Sequence, residues 1–319
     1  MKKKFMKAGA CVLSAAMIMG LYAGPAFADW VENQNGARMW VQDGKAQTGW
    51  QQINGKWYYF DESGTMLTGW HKIDGKWYYL KANGVMQTYW YLENGKYYFL
   101  GANGSVRTGW QNIWGKYYHF DSDGVMQTGW QKIDGAWYYF GNEKNGAMQV
   151  GWQIVDHEYY YIVDSGVMQT YWRKIDGNYY FFGANGVRRT GWQKIWGKWY
   201  YLDENGVMQT GWVKSGNYWY YMNTSGIMQT GPIKVGGSWY YLNPSSGAMQ
   251  TGWMEADGKK YYVKPSGQIS IGWVGINNVW YYFNSTGEMQ TGWQKVKEEE
   301  EWYYLDKTTG AMKKGWFED

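Results

Sequence analysis

The stretch Trp130-Gln-Lys-Ile-Asp-Gly-Ala-Trp-Tyr-Tyr-Phe140 sets two β-prone runs on either side of Asp134-Gly135. An Asp-Gly or Asn-Gly pair between such runs predicts a β-hairpin with a two-residue turn. Asn54-Gly55, Asp74-Gly75, Asn94-Gly95 and Asp176-Gly177 stand in the same place elsewhere. With Asp134-Gly135 as the turn, Ile133 faces Ala136, Lys132 faces Trp137, Gln131 faces Tyr138 and Trp130 faces Tyr139. Strand side chains alternate between faces. One face therefore carries Trp130, Trp137 and Tyr139, and the other carries Ile133, Tyr138 and Phe140. One is expected to pack the interior and the other to present a cluster of rings. A second, glycine-containing turn follows each hairpin, as at 121–124 and 203–206, and leads into Val-Met-Gln-Thr-Gly-Trp.

This unit recurs along the chain. Trp50, Trp70, Trp90, Trp110, Trp130, Trp152, Trp172, Trp192 and Trp212 follow one another about every twenty residues, mostly in the frame Thr-Gly-Trp. Pro232 takes one turn, and the series resumes at Trp253, Trp273, Trp293 and Trp316. A period so short and so sustained predicts an all-β solenoid of stacked β-hairpins. A longer period is superimposed on it. Thr-Tyr-Trp at Trp90 and Trp172, Gly-Ala-Asn-Gly at 101–104 and 183–186, and Ile-Trp-Gly-Lys at 113–116 and 195–198 are each 82 residues apart. The repeat array 50–319 is thus expected to hold duplicated four-repeat blocks, 50–131 and 132–213, followed by 214–319. Residues 29–49 read as a degenerate capping repeat around Trp30, with Ala37 in the place of the second Trp. The copied variant hairpins mark a candidate second surface around Trp114 and Trp196.

Composition changes the picture at the start of the chain. Lys2, Lys3, Lys4 and Lys7, an apolar run to about Tyr22 and Ala26-Phe27-Ala28 read as a secretory signal peptide over 1–28. The apolar run is too short to span a membrane. The single cysteine, Cys11, leaves with it, so the mature chain is expected to hold no disulfide. Of the 31 basic residues, four lysines also leave, and 27 basic residues then balance 27 acidic ones. A neutral chain argues against nucleic acid and against an anionic membrane as partners. Aromatic residues make up 21% of the sequence while Leu and Ile are scarce, so stacked rings must replace an aliphatic core.

Two tryptophans seven residues apart meet across each hairpin, and a neighbouring hairpin would complete their wall with methionine as a floor. An open cage of electron-rich rings suits a large, weakly hydrated cation such as a quaternary ammonium, at about 0.5–2 kcal/mol per favourable contact. Composition and spacing leave open a choline cage or a sugar-stacking platform.

The motif Thr-Gly-Trp-Gln-Lys-Ile-Asp-Gly-x-Trp-Tyr-Tyr-Phe, followed by Gly-Val-Met-Gln-Thr-Gly-Trp, closely resembles the choline-binding repeat of streptococcal surface proteins and phage lysins. The resemblance covers residues 30 to 316. It implies a left-handed β-solenoid of hairpins and choline or phosphocholine as ligand, with teichoic and lipoteichoic acids as partners and no cofactor. In that family a site takes two Trp from one hairpin, an aromatic from the next and often a Met. Position by position, the resemblance implies sites at Trp50/Trp57 with Met66 and Tyr79, and at Trp70/Trp77 with Met86. It implies others at Trp130/Trp137 with Met148 and Tyr161, Trp192/Trp199 with Met208 and Tyr221, Trp212/Trp219 with Met228 and Tyr241, and Trp273/Trp280 with Met289. Trp293 and Trp302 also pair, across a hairpin lengthened by Glu298 to Glu301.

Other repeats depart from the pattern. Tyr97, Tyr117, Tyr159 and Tyr179 replace the second Trp, and Arg188 replaces the methionine after Tyr179. An arginine there would repel a quaternary ammonium or fill the cage itself. Pro232 removes a first Trp, and Lys260 stands where a second would be.

Repeats occupy everything after residue 28, so no catalytic domain is expected. His71, His119 and His157 fall at unrelated repeat positions and predict neither a triad nor a metal site. With no sortase-type anchor, the expectation is a secreted, noncatalytic protein held noncovalently on a Gram-positive cell surface. It would dock against or compete with wall hydrolases that share the repeats. The alternatives are a glucan-binding module and a host-facing adhesin.

Overall fold

The structure, a computed structural model, describes residues 28–142, 144–295 and 301–314. The expected signal peptide lies outside these residues, apart from its last position. The described chain is all β and contains no helix. It opens with a three-stranded antiparallel sheet of Asp29–Glu32, Arg38–Gln42 and Lys45–Ala46, and continues as thirteen separate two-stranded hairpins. The hairpin Gly69–Ile73/Lys76–Leu80 is typical, with Trp70 opposite Tyr79, Lys72 opposite Trp77 and Ile73 opposite Lys76. This is the register that the Asp-Gly turns predict. Both turn residues adopt positive φ, as at Asp74 (47°) and Gly75 (77°), the geometry that matches the twist of paired strands.

A two-stranded sheet has two edges, and the chain closes them by a bridge that skips back one hairpin. After the hairpin ending at Leu80, Gly84 donates to the Lys81 carbonyl and the chain reverses. Met86 then bridges Leu80 and donates its amide to the Trp57 carbonyl of the preceding hairpin, at 2.7 Å. The same bond joins Met228 to Trp199 and Met249 to Trp219. Each repeat is thereby hydrogen-bonded to the one before it.

Buried apolar positions follow the face that carries isoleucine. Phe60, Leu80, Leu100, Phe120, Phe140, Ile162, Phe182 and Leu202, which end successive hairpins, are fully buried. Glycine is required at the following turn by close approach. A Cβ on Gly104 (φ +77°) would collide with the Met86 sulfur, and one on Gly226 with that of Met208.

The described chain divides into two compact units. One comprises residues up to Gly129 together with Phe140–Met148, and the other comprises Trp130–Tyr139 and the chain from Gln149 onward. Among the described residues no helix is long and apolar enough to cross a membrane.

Candidate ring-lined functional site

Each cluster starts from the Trp face of one hairpin. Trp50 and Trp57 stand nearly perpendicular, with ring centroids 6.4 Å apart and planes at 84°. Trp192 and Trp199 repeat this at 6.3 Å and 83°. The first Trp is half-buried, because it also leans on the tyrosine opposite it: Trp50 on Tyr59 at 5.1 Å, Trp192 on Tyr201 at 5.2 Å. The second Trp is left exposed.

The next hairpin closes the wall with a different tyrosine from the one expected. Trp50 meets Tyr78 at 4.9 Å, Trp130 meets Tyr160 at 4.8 Å, Trp192 meets Tyr220 at 4.7 Å and Trp212 meets Tyr240 at 4.8 Å. Tyr79, Tyr161 and Tyr221 instead pack on Trp70, Trp152 and Trp212 of their own hairpins, and Tyr241 stands opposite Pro232. Alternation along the strand is the reason. Tyr78 shares the buried face with Ile73 and Leu80 and looks back to Trp50, whereas Tyr79 shares the Trp70 face.

The methionines shift by one whole repeat. Met66, Met148, Met208 and Met289 donate to the carbonyls of Arg38, Tyr117, Tyr179 and Lys260, and so belong to the cluster before the one expected. Met86 sits with Trp50/Trp57 and Met228 with Trp192/Trp199, while Met168, Met249 and Met312 serve the Trp137, Trp219 and Trp280 hairpins. Val106 takes the place at Trp70/Trp77. A methionine follows its own hairpin in sequence, but the skipping hydrogen bond carries it to the hairpin before. The completed cavities show the full set. Trp192, Trp199, Tyr220 and Met228 line one with Ser245 and Ser246, and Trp212, Trp219, Tyr240 and Met249 line another with Pro265 and Ser266. In the Trp70/Trp77 cavity Tyr98 is joined by Asp123.

Polar groups fix the rings from behind. Trp70 donates its indole N–H to Glu93 at 2.6 Å, and Trp192 donates to the Ser215 hydroxyl at 3.0 Å. Burial, and then the charges of Glu93, Asp121 and Asp123, push the Tyr98 phenol above its ordinary pKa. Burial likewise raises Tyr160, ahead of Glu158 and Asp156. Tyr98 and Tyr160 therefore remain neutral across the ordinary pH range.

Comparison with known proteins settles what these repeats are. A family model of the choline-binding repeat matches residues 47–82, 67–106, 107–150, 127–171, 170–210, 189–230, 209–251, 229–271 and 270–317. The chain belongs to the choline-binding repeat family. It is similar to the solved structure of CbpJ from Streptococcus pneumoniae TIGR4, with 30% identity, 83% of this chain and 100% of that chain covered, and a TM-score of 0.53. It is also similar to choline binding protein F from Streptococcus pneumoniae, solved in the presence of a peptidoglycan analogue, with 33% identity, 83% and 99% coverage and a TM-score of 0.55. No curated protein sequence matches the chain.

Within this choline-binding repeat array the variant units gain a structural account. Arg188 occupies a methionine position, but in the Trp152/Tyr159 cluster rather than that of Tyr179. Its guanidinium lies 4.1 Å over the Tyr159 ring and 5.9 Å from Trp152, and its Nη2 donates to the Glu204 carbonyl. This cage is filled by its own cation. In the opening sheet Arg38, not Ala37, takes the second-Trp place, because Trp30 pairs with Trp40 across a loop one residue longer than the usual turn. Arg38 stacks 5.2 Å over Trp30. In the lengthened hairpin Trp302 stands opposite Lys295, while Glu298–Glu300 lie outside the described residues.

Trp114 and Trp196 sit at hairpin tips, each 75% exposed, at φ of 51° and 48°. Tyr89 and Tyr171 hold φ of 61° and 60° where neighbouring repeats have glycine. Tyr89 and Phe99 border Trp114 at 6.3 and 6.2 Å. Among the described residues no group of His, Cys, Asp or Glu is placed to hold a metal ion. His71 bonds the Thr68 carbonyl and His119 meets Trp110 edge-on at 5.1 Å.

Proposed function

We propose that the chain is a secreted, noncatalytic binder of choline and phosphocholine that attaches noncovalently to teichoic and lipoteichoic acids through several cages on a left-handed solenoid. The observation that carries this reading is the perpendicular Trp50/Trp57 pair closed by Tyr78 and Met86, and its repetition at Trp192/Trp199 with Tyr220 and Met228. Two ring faces at right angles and a third ring bound a pocket open on one side, which a trimethylammonium can enter while its alcohol or phosphate remains in water. No carboxylate lines the Trp192 or Trp212 cavity, so attraction there rests on ring faces and on the polarisable thioether.

The reading assigns cages to Trp50/Trp57, Trp70/Trp77, Trp130/Trp137, Trp192/Trp199, Trp212/Trp219 and Trp273/Trp280, with their closing residues as the structure assembles them. Residues 1–28 serve export, and 50–131 and 132–213 arose as copies. Single cages bind weakly, and a polymer bearing repeated phosphocholine is held by avidity. Wall hydrolases using the same repeats would then compete for the same polymer. Support comes from the family and from the two pneumococcal structures, one of which is named for choline binding. Retention on a quaternary-amine resin with elution by free choline tests the reading; retention instead on a glucan column would overturn it.

A further inference from the structure

Pro232 stands where its neighbours in the array place an indole, and the space it leaves is a cavity. In the preceding repeat Trp212 fills the corresponding volume between Tyr221 and Tyr240. The Pro232 cavity has a volume of about 380 Å³ and is more enclosed than the Trp192 and Trp212 cages. Its outer part keeps cage elements. Trp239 is present, Tyr261 shares the wall, and Ile269 donates its amide to the Trp239 carbonyl just as Met249 does to Trp219. Its inner part is the vacated slot, which lies between Tyr241 and Tyr261, the counterparts of Tyr221 and Tyr240, and is also lined by Met254.

A carboxylate also lines it, which the Trp192 and Trp212 cages lack. Asp257, in the turn of the next hairpin, borders the cavity. Among the described residues Asp257 forms no ion pair of its own, since the nearby Lys259, which feels its charge, pairs with Glu288 at 2.7 Å. A quaternary ammonium has no N–H to give a carboxylate. A primary or secondary ammonium does, and such charge-assisted bonds are the strong ones.

We propose that this cavity is a separate site for an aryl-substituted primary or secondary amine, whose flat ring enters the slot left by Pro232 and whose ammonium donates to Asp257. The Trp239 face supplies the remaining attraction to the cation. The site does not depend on the choline reading of the Trp-pair cages, because they have an indole where it has its slot, and the Trp192 and Trp212 cages also lack its carboxylate.

The test uses the full exported chain and 4-bromophenethylamine, whose bromine is located by anomalous scattering in soaked crystals. Bromine is expected between Tyr241 and Tyr261, beside Met254, with the nitrogen at Asp257. Calorimetric titration should find binding of this probe roughly tenfold weaker in Asp257→Asn, and crystals soaked in the N-trimethylated probe should leave the Pro232 cavity without bromine. Pro232→Trp should abolish binding by filling the slot. Bromine confined to the Trp-pair cages, or an affinity unchanged by both substitutions, would overturn the proposal.

Discussion

Arg188 shows how one side chain decides whether a cage is open. It stacks on Tyr159 and buries its Nε without a hydrogen-bond partner, so the cage gains ring contacts and leaves one donor unsatisfied. In neighbouring repeats Met168 and Met208 hold this position against Gly186 and Gly226, as Arg188 does against Gly206. Arg188→Met should therefore leave the fold intact and raise the number of choline molecules bound by one, counted by equilibrium dialysis. An unchanged number would mean that the arginine is not what closes this cage. Trp130→Ala should remove one site and leave those in distant repeats untouched, because repeat units couple only to neighbours. At this scale the Trp pairs were legible from their spacing of seven, but their companions were not. Tyr78 in place of Tyr79 followed from strand alternation and could have been read in advance. Met86 in place of Met66 could not, because it depends on a hydrogen bond that passes over a hairpin.

The hairpin itself was the most legible element, since each two-residue turn fixes its register locally. Trp70 opposite Tyr79 and Lys72 opposite Trp77 needed only the position of Asp74-Gly75. The first repeat misled for the same local reason: its longer loop moves Arg38 into the place expected for Ala37. Two tips break the turn chemistry. Trp114 and Trp196 hold a left-handed conformation that asparagine and aspartate adopt more readily. Trp114→Asn should raise stability by about 0.5–1 kcal/mol, seen as a higher melting temperature, as the indole is 75% exposed. A drop would show that the contacts with Tyr89 and Phe99 outweigh the strain. The linking turn is less forgiving. Gly104→Ala meets both positive φ and the Met86 sulfur, and should destabilise its unit by about 1–3 kcal/mol in denaturant titration.

Among the described residues, which include no cysteine, packing rests on ring contacts more than on ion pairs such as Lys259–Glu288 and Lys313–Asp306. Tyr98, Tyr118, Tyr160 and Tyr261 are all pushed above the ordinary tyrosine value of 10.0, with burial as the leading cause. Below pH 10 the stability tied to these neutral phenols is fully present. Above it the unfolded chain loses protons that the folded chain keeps, so stability falls as pH climbs toward the raised values. Thermal melts should be level from pH 7 to about 9.5 and drop beyond about 10. The periodic tryptophans announced the repeated hairpins, while the order of partners within each cluster emerged only from the path between hairpins. The most direct measurement is a crystal structure with choline bound. Choline is predicted within Trp50, Trp57, Tyr78 and Met86 and in the equivalent Trp-pair cages, and not in the Trp152 cage filled by Arg188. Empty Trp-pair cages beside choline bound elsewhere would contradict the account.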